Sequence, residues 1–223
     1  MVGKGLAAFS AELAGCVPVF PTEVGDSLAR SKELSTLRRR QIIYGRIDQP
    51  GRIHVYSAEC MAGERLRVQL LAPRLPFGRS LAPSFAVVAQ SLPYSADTQK
   101  LPVDLPAGYS AVVAPAPGEL ASPARDPLTH TEYYTGPIVD TRTLVGGRCY
   151  VLVWSPSGQM GKYALRVGSA WPWRFGYWLR LPYFWWQIRG WFGLSRGGAW
   201  VALALVLLAL VALMRGLAGG KRE

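Results

Sequence analysis

Histidine occurs only twice and cysteine three times in the 223 residues. That leaves little material for the three- and four-ligand sites that usually hold structural or catalytic metals. There is no Cys-x-x-Cys pair, haem-attachment motif or phosphate-binding glycine loop, so the usual signatures of redox and nucleotide chemistry are missing. The expectation is a non-catalytic chain with no metal and no cofactor. Charged residues make up only 17% and hydrophobic ones 50%, a balance unlike that of a disordered tail. The 17 prolines and 24 glycines are scattered between short apolar runs and argue against a helical bundle.

Acidic residues are absent from Thr141 to Arg222, a stretch with 11 Lys and Arg, whereas residues 1–140 carry 14 basic against 13 acidic. The net charge of +11 therefore comes from the last third, beside its most hydrophobic part. Basic charge interleaved with Trp next to an apolar run is the pattern of a membrane interface with anionic headgroups, not of a nucleic-acid surface.

The apolar run is GGAWVALALVLLALVALM, 18 uncharged residues (197–214) between Arg196 and Arg215. As a helix it extends about 27 Å, close to the hydrocarbon thickness of a bilayer. Trp200 at its start and Arg215, Lys221 and Arg222 after it suit the two interfaces. A single transmembrane helix is predicted, followed by a basic tail (215–223). Gly198, Ala202, Ala209, Ala212 and Gly216 place small residues along one stripe, where another helix can approach closely. Alanine is also simply common in such spans.

Before the span lies WPWRFGYWLRLPYFWWQIRGWF (171–192), half of it aromatic. Trp171, Trp173, Trp178, Trp185, Trp186 and Trp191 are candidate interfacial contacts, and Arg174, Arg180 and Arg189 are candidates for lipid phosphates or acidic partner surfaces. Trp, Tyr and Arg also dominate protein-binding hot spots, so an integral membrane protein partner is the second reading of segment 169–196. Pro182 is placed as the first residue of a short helix through Phe192.

At the other end, Glu12 interrupts what would be the core of a signal peptide, while Leu13-Ala14-Gly15-Cys16 matches a lipoprotein cleavage pattern of residue types common enough to recur by chance. Residues 26–40, with Leu28, Leu34 and Leu37, are predicted to form a short amphipathic helix. From residue 41 the chain reads as short strands separated by turns: QIIYGRI (41–47), RIHVYSA (52–58), RLRVQLL (65–71), SFAVVAQ (84–90), YSAVVA (109–114), TRTLV (141–145), YVLVWS (150–155) and KYALRV (162–167). The proline-rich stretch 115–127 reads as a long loop. Eight strands without helical periodicity predict a mainly β domain (41–168), an antiparallel β-sandwich or jelly roll.

The frame YGRIDQPGRIHVYSAECMAGERLRVQLLAP, with the later GGRCYVLVWSPSGQMGKYALRVG, resembles the strand pattern of extracytoplasmic bacterial β-sandwich domains of the pre-peptidase C-terminal type. The likeness lies in the Gly63-Glu64-Arg65-Leu66 turn entering a strand and the closing Gly161-Lys162-Tyr163-x-Leu165-x-Val167-Gly168. It implies a domain without catalysis of its own, devoted to binding or stability. It also implies a soluble part on the periplasmic side, with the C-terminus in the cytoplasm.

One polar cluster invites chemistry. On a strand, His130 and Glu132 would face one side and share a proton or a cation; the plainer reading is a loop histidine beside aromatic turn residues. Cys60 and Cys149 flank turns and would bridge in an oxidising compartment if the sandwich joined those edges; otherwise they are small buried hydrophobes. Two functions fit these features. One is an accessory or structural subunit of a membrane complex, its sandwich held at the bilayer. The other is a membrane-anchored module binding carbohydrate or another surface ligand.

Overall fold

The computed structural model describes residues 15–92, 101–119, 123–171 and 175–197. They form eleven strands: β1 (Val17–Val19), β2 (Lys32–Glu33), β3 (Gln41–Ile47), β4 (Ile53–Cys60), β5 (Arg65–Pro73), β6 (Ser84–Gln90), β7 (Tyr109–Ala114), β8 (Pro123–Arg125), β9 (Glu132–Arg142), β10 (Gly147–Trp154) and β11 (Gly161–Val167). One long helix, α1 (Phe175–Phe192), follows.

Two sheets pack face to face, in the orders β1-β3-β11-β5-β9-β8 and β2-β4-β10-β6-β7. Counting the eight principal strands from β3, the central orders are 1-8-3-6 and 2-7-4-5, two interlocked Greek keys. That is a jelly roll. All pairings among these eight strands are antiparallel; of the added edge strands, β1 and β2 pair in parallel with β3 and β4, and β8 pairs antiparallel with β9.

Alternation along the strands builds three apolar layers. Inward residues such as Ile43, Ile47, Tyr56, Leu66, Val68, Leu70, Phe85, Val151 and Leu165 fill the space between the sheets. Outward residues of the first sheet, Ile42, Tyr44, Leu71 and Ala164, meet Ile188 and Phe192 of α1. Outward residues of the second, Val55, Ala86, Val88, Tyr150, Leu152 and Trp154, are covered by Leu28, Leu101, Val103 and Leu105. Because both faces of the sandwich are covered, β6 is nearly continuously buried and not alternating.

Three expectations need correction. Residues 26–40 form no helix: Leu34 and Leu37 enter the inter-sheet core while Leu28 packs on the opposite side of the second sheet, a distribution only an extended, turning chain achieves. The strand expected at 141–145 is the far end of β9, and Leu144 and Val145 are exposed beyond it. Gly136-Pro137 obscured β9; they sit where its register against β5 shifts between Gln69 and Leu71, a bulge that dispenses with a ladder N–H. The proline-rich stretch contains β8, paired with β9.

Cys16, Cys60 and Cys149 are all buried thiols, and none is in a disulfide. Cys60 and Cys149 are diagonal neighbours across β4 and β10, and the hydrogen bond between their thiols, together with burial, pushes the Cys60 thiol up. Cys16, the cysteine of the lipoprotein-like tetrad, lies within the layer under α1, where a lipid thioether would displace the helix.

Candidate functional site

The aromatic segment before the apolar run is α1, and it is docked on the sandwich. It begins at Phe175, seven residues before the expected start, so Pro182 lies in its interior and the carbonyl of Trp178 receives no amide four residues on. A ring contact between Tyr177 and Phe184 at 5.9 Å bridges the proline.

The inner face of α1 is anchored at its C-terminal end. Ile188 and Phe192 are buried; the Phe192 ring meets Tyr133 edge-on at 5.3 Å, and Trp191 meets Tyr44 at 4.9 Å. Beneath them the Tyr44 and Tyr133 hydroxyls share a buried hydrogen bond of 2.8 Å, and burial holds both phenols well above their usual range. Lys162 of β11 donates to the Trp191 carbonyl and stands 4.9 Å from the centre of its ring. Arg189 donates to the carbonyls of Thr129 (3.1 Å) and Ser195 (2.8 Å) and covers the Trp185 ring at 4.8 Å. Its guanidinium is thus engaged within the domain, at some expense to the role of phosphate ligand.

The outer face carries Leu179 (69% exposed), Tyr183 (57%) and Trp186 (37%), spaced four and three residues apart on one stripe. Arg180 is exposed beside it, and Arg196 lies over the Trp186 ring at 4.1 Å. Trp171, 37% exposed, stands outside the helix with Arg40 over its ring at 5.1 Å. The candidate residues therefore divide: Trp186 and Arg180 face out, Trp185 and Trp191 are half-buried against the domain, and Trp171 lies apart. Trp173 and Arg174, the side chain of Trp178, and the stripe Gly198, Ala202, Ala209, Ala212 and Gly216 lie outside the described residues, as does all of the 18-residue run after Gly197. Among the described residues no helix is long and apolar enough to cross a membrane.

The end of α1 is sharply defined. The Leu194 amide bonds the Arg189 carbonyl (2.9 Å), the Gly193 amide bonds the Gly190 carbonyl (3.1 Å), and Gly193 has φ +75°. This Schellman motif needs a left-handed residue, which glycine adopts freely. Gly193→Ala meets no steric obstacle, so its expected cost is that of the backbone alone, about 1–2 kcal/mol, appearing as fraying of residues 189–193 in hydrogen exchange. Unchanged protection there would show that the turn is held by other contacts.

His130 and Glu132 are not placed side by side on one strand face. His130 lies in a turn with φ +55° and not on a strand, and Glu132 is bound to Arg74 at 2.8 Å. Among the described residues no group of three or more His, Cys, Asp or Glu could hold a metal ion.

The site that the sequence reading passed over surrounds the other histidine. His54 is only 3% exposed, and its Nδ1 lies 2.7 Å from the Tyr163 hydroxyl, itself 2.9 Å from the Tyr56 hydroxyl. Burial, helped by Arg52, lowers the His54 pKa from 6.5 to about 4, so the ring is neutral near pH 7. Gly45 makes room for this row: a Cβ there would stand 2.3 Å from Cζ of Tyr163. The available signal was the inward register that His54 shares with Tyr56 in RIHVYSA.

No family model matches the chain, and no curated protein matches it. Among solved structures, the pre-peptidase C-terminal domain of a collagenase from Bacillus anthracis is similar at 14% identity, over 60% of this chain and 90% of that one, with a TM-score of 0.31. So loose an overlap carries no argument; the sandwich rests on its own strand pairing.

Proposed function

We propose that this chain is a non-catalytic, single-pass membrane protein whose jelly roll is held against the bilayer by α1, serving as an accessory or structural subunit of a larger membrane complex. The carrying observation is the two-sided character of α1. Ile188 and Phe192 fasten it to the sandwich, Leu179, Tyr183 and Trp186 face outward, and the uncharged run starts five residues after its end. A helix rigidly joined to the domain on one face and apolar on the other suits the headgroup layer, with Arg180 and Arg196 reaching anionic phosphates. The domain then cannot project far, which favours bracing a neighbouring membrane protein, and the small-residue stripe of the span offers a packing face for its helices.

The test uses the full-length chain in its native membranes. It is expected to stay with the membrane after alkaline washing and, in mild detergent, to migrate on a native gel in a high-mass band with defined companions. Release by the wash would overturn the anchor. Migration as a lone 24.4 kDa species would overturn the subunit role.

A further inference from the structure

A cleft of about 460 Å³ opens beside the β3–β4 turn, between the segment following β1 and the end of α1. Its size is that of a small-molecule site. Phe20, Tyr44 and Trp191 line one side; Phe20 stacks on Tyr44 at 4.7 Å. Glu23, Arg46, Asp48 and Arg52 line the remainder, two charges of each sign, with Arg52 and Asp48 paired at 2.8 Å. His54 also lines it.

The protons of the buried row can be counted. Tyr56 is fully buried, and among the described residues its hydroxyl has one partner, the Tyr163 hydroxyl. If Tyr163 donated to Tyr56, the Tyr56 proton would be buried without an acceptor, a costly arrangement. Tyr56 therefore donates to Tyr163, and Tyr163 donates to Nδ1 of His54. In a neutral imidazole that leaves the proton on Nε2, which has no hydrogen-bond partner among the described residues. His54 thus presents a fixed N–H donor at the cleft.

The geometry points to a binding site for a neutral saccharide in this cleft, with the His54 Nε2–H and Arg46 donating to ring or hydroxyl oxygens and the Glu23 carboxylate accepting hydroxyl protons. The balanced charge disfavours an ion of either sign as the main ligand. The aromatic side suits the C–H face of a pyranose, while the mixed donors and acceptors suit its hydroxyl edge. This inference does not need α1 to touch a bilayer; it needs the jelly roll, the segment after β1 and the docked end of α1 that carries Trp191.

The test uses the full-length chain, labelled with ¹⁵N-histidine, in a detergent without a sugar headgroup. With only two histidines, a His130→Gln variant assigns both rings. His54 is expected to show the Nε2–H tautomer, and its Nε2 signal to move saturably with glucose, N-acetylglucosamine or cellobiose. Arg46→Ala and Glu23→Ala, both at exposed positions, are each expected to weaken the binding about tenfold, the effect of losing a charge-assisted hydrogen bond. The Nδ1–H tautomer would overturn the donor assignment. No response to any of the three sugars, a response unchanged in both variants, or a response to inorganic phosphate alone would overturn the saccharide site.

Discussion

Phe192→Ala is expected to cost about 3–5 kcal/mol, as large-to-small changes at fully buried aromatics do, and to release the end of α1 before the sandwich itself unfolds. Phe192 is 1% exposed, and its ring packs at 5.3 Å against both Tyr133 and Trp191. Truncation empties the centre of the layer made by Ile42, Tyr44, Leu71 and Ile188 and admits water to the Tyr44–Tyr133 hydrogen bond. Local stability at residues 185–192, measured by hydrogen exchange, should fall further than the midpoint of denaturant unfolding. Phe192→Leu, which keeps most of the volume, should lose under about 1.5 kcal/mol. A cost below about 1 kcal/mol for the alanine variant, within the range of surface changes, would mean that α1 is not fastened to the domain, and the proposed mode of holding the sandwich at the bilayer would fall with it.

Acidification is expected to remove up to about 3 kcal/mol of stability through one residue, His54. Its folded pKa is depressed from 6.5 to about 4, first by burial and then by Arg52, with Asp48 opposing. Between those values the unfolded chain has taken up a proton that the folded chain still refuses. The unfolded state binds more protons in that window, so stability rises with pH across it and is lost as pH falls from about 6.5 towards 4. The Tyr163 hydroxyl behind the ring offers no compensating charge, since burial pushes that phenol well above its usual range. Urea unfolding of wild type and His54→Gln across this window isolates the contribution, because carboxylates titrate in both. Parallel profiles would show that the ring protonates freely in the folded protein, against the buried row that orders the cleft.

Much of the fold was legible in the residues themselves. QIIYGRI, SFAVVAQ and YSAVVA are β3, β6 and β7 with unchanged boundaries, because β-branched and aromatic runs bounded by turn residues depend little on what they pack against. The aromatic and basic character of 171–192 was equally plain, being a matter of composition. Where propensity and environment disagree, the sequence misled. Leu28, Leu34 and Leu37 have helical spacing yet serve two different layers, and Gly136-Pro137 interrupts the strand signal at a bulge. Pro182 marks a helix start by local rules but lies inside α1, whose C-terminal half gains more from docking than the missing hydrogen bond withholds.

The sites divide in the same way. Sequence by itself determined the kinds of residue available: a surplus of tryptophan and arginine next to an 18-residue apolar run, and few histidines and cysteines. Tertiary structure alone decided which of them face outward, since only docking separates Trp186 from Trp191 and engages Arg189 with Thr129. It alone also brought His54, Tyr56 and Tyr163 into one row and set Glu23, Arg46 and Trp191 around a single opening. These groups come from the segment after β1, from β3, β4 and β11, and from α1. Their meeting depends on long-range strand order, which local periodicity does not encode.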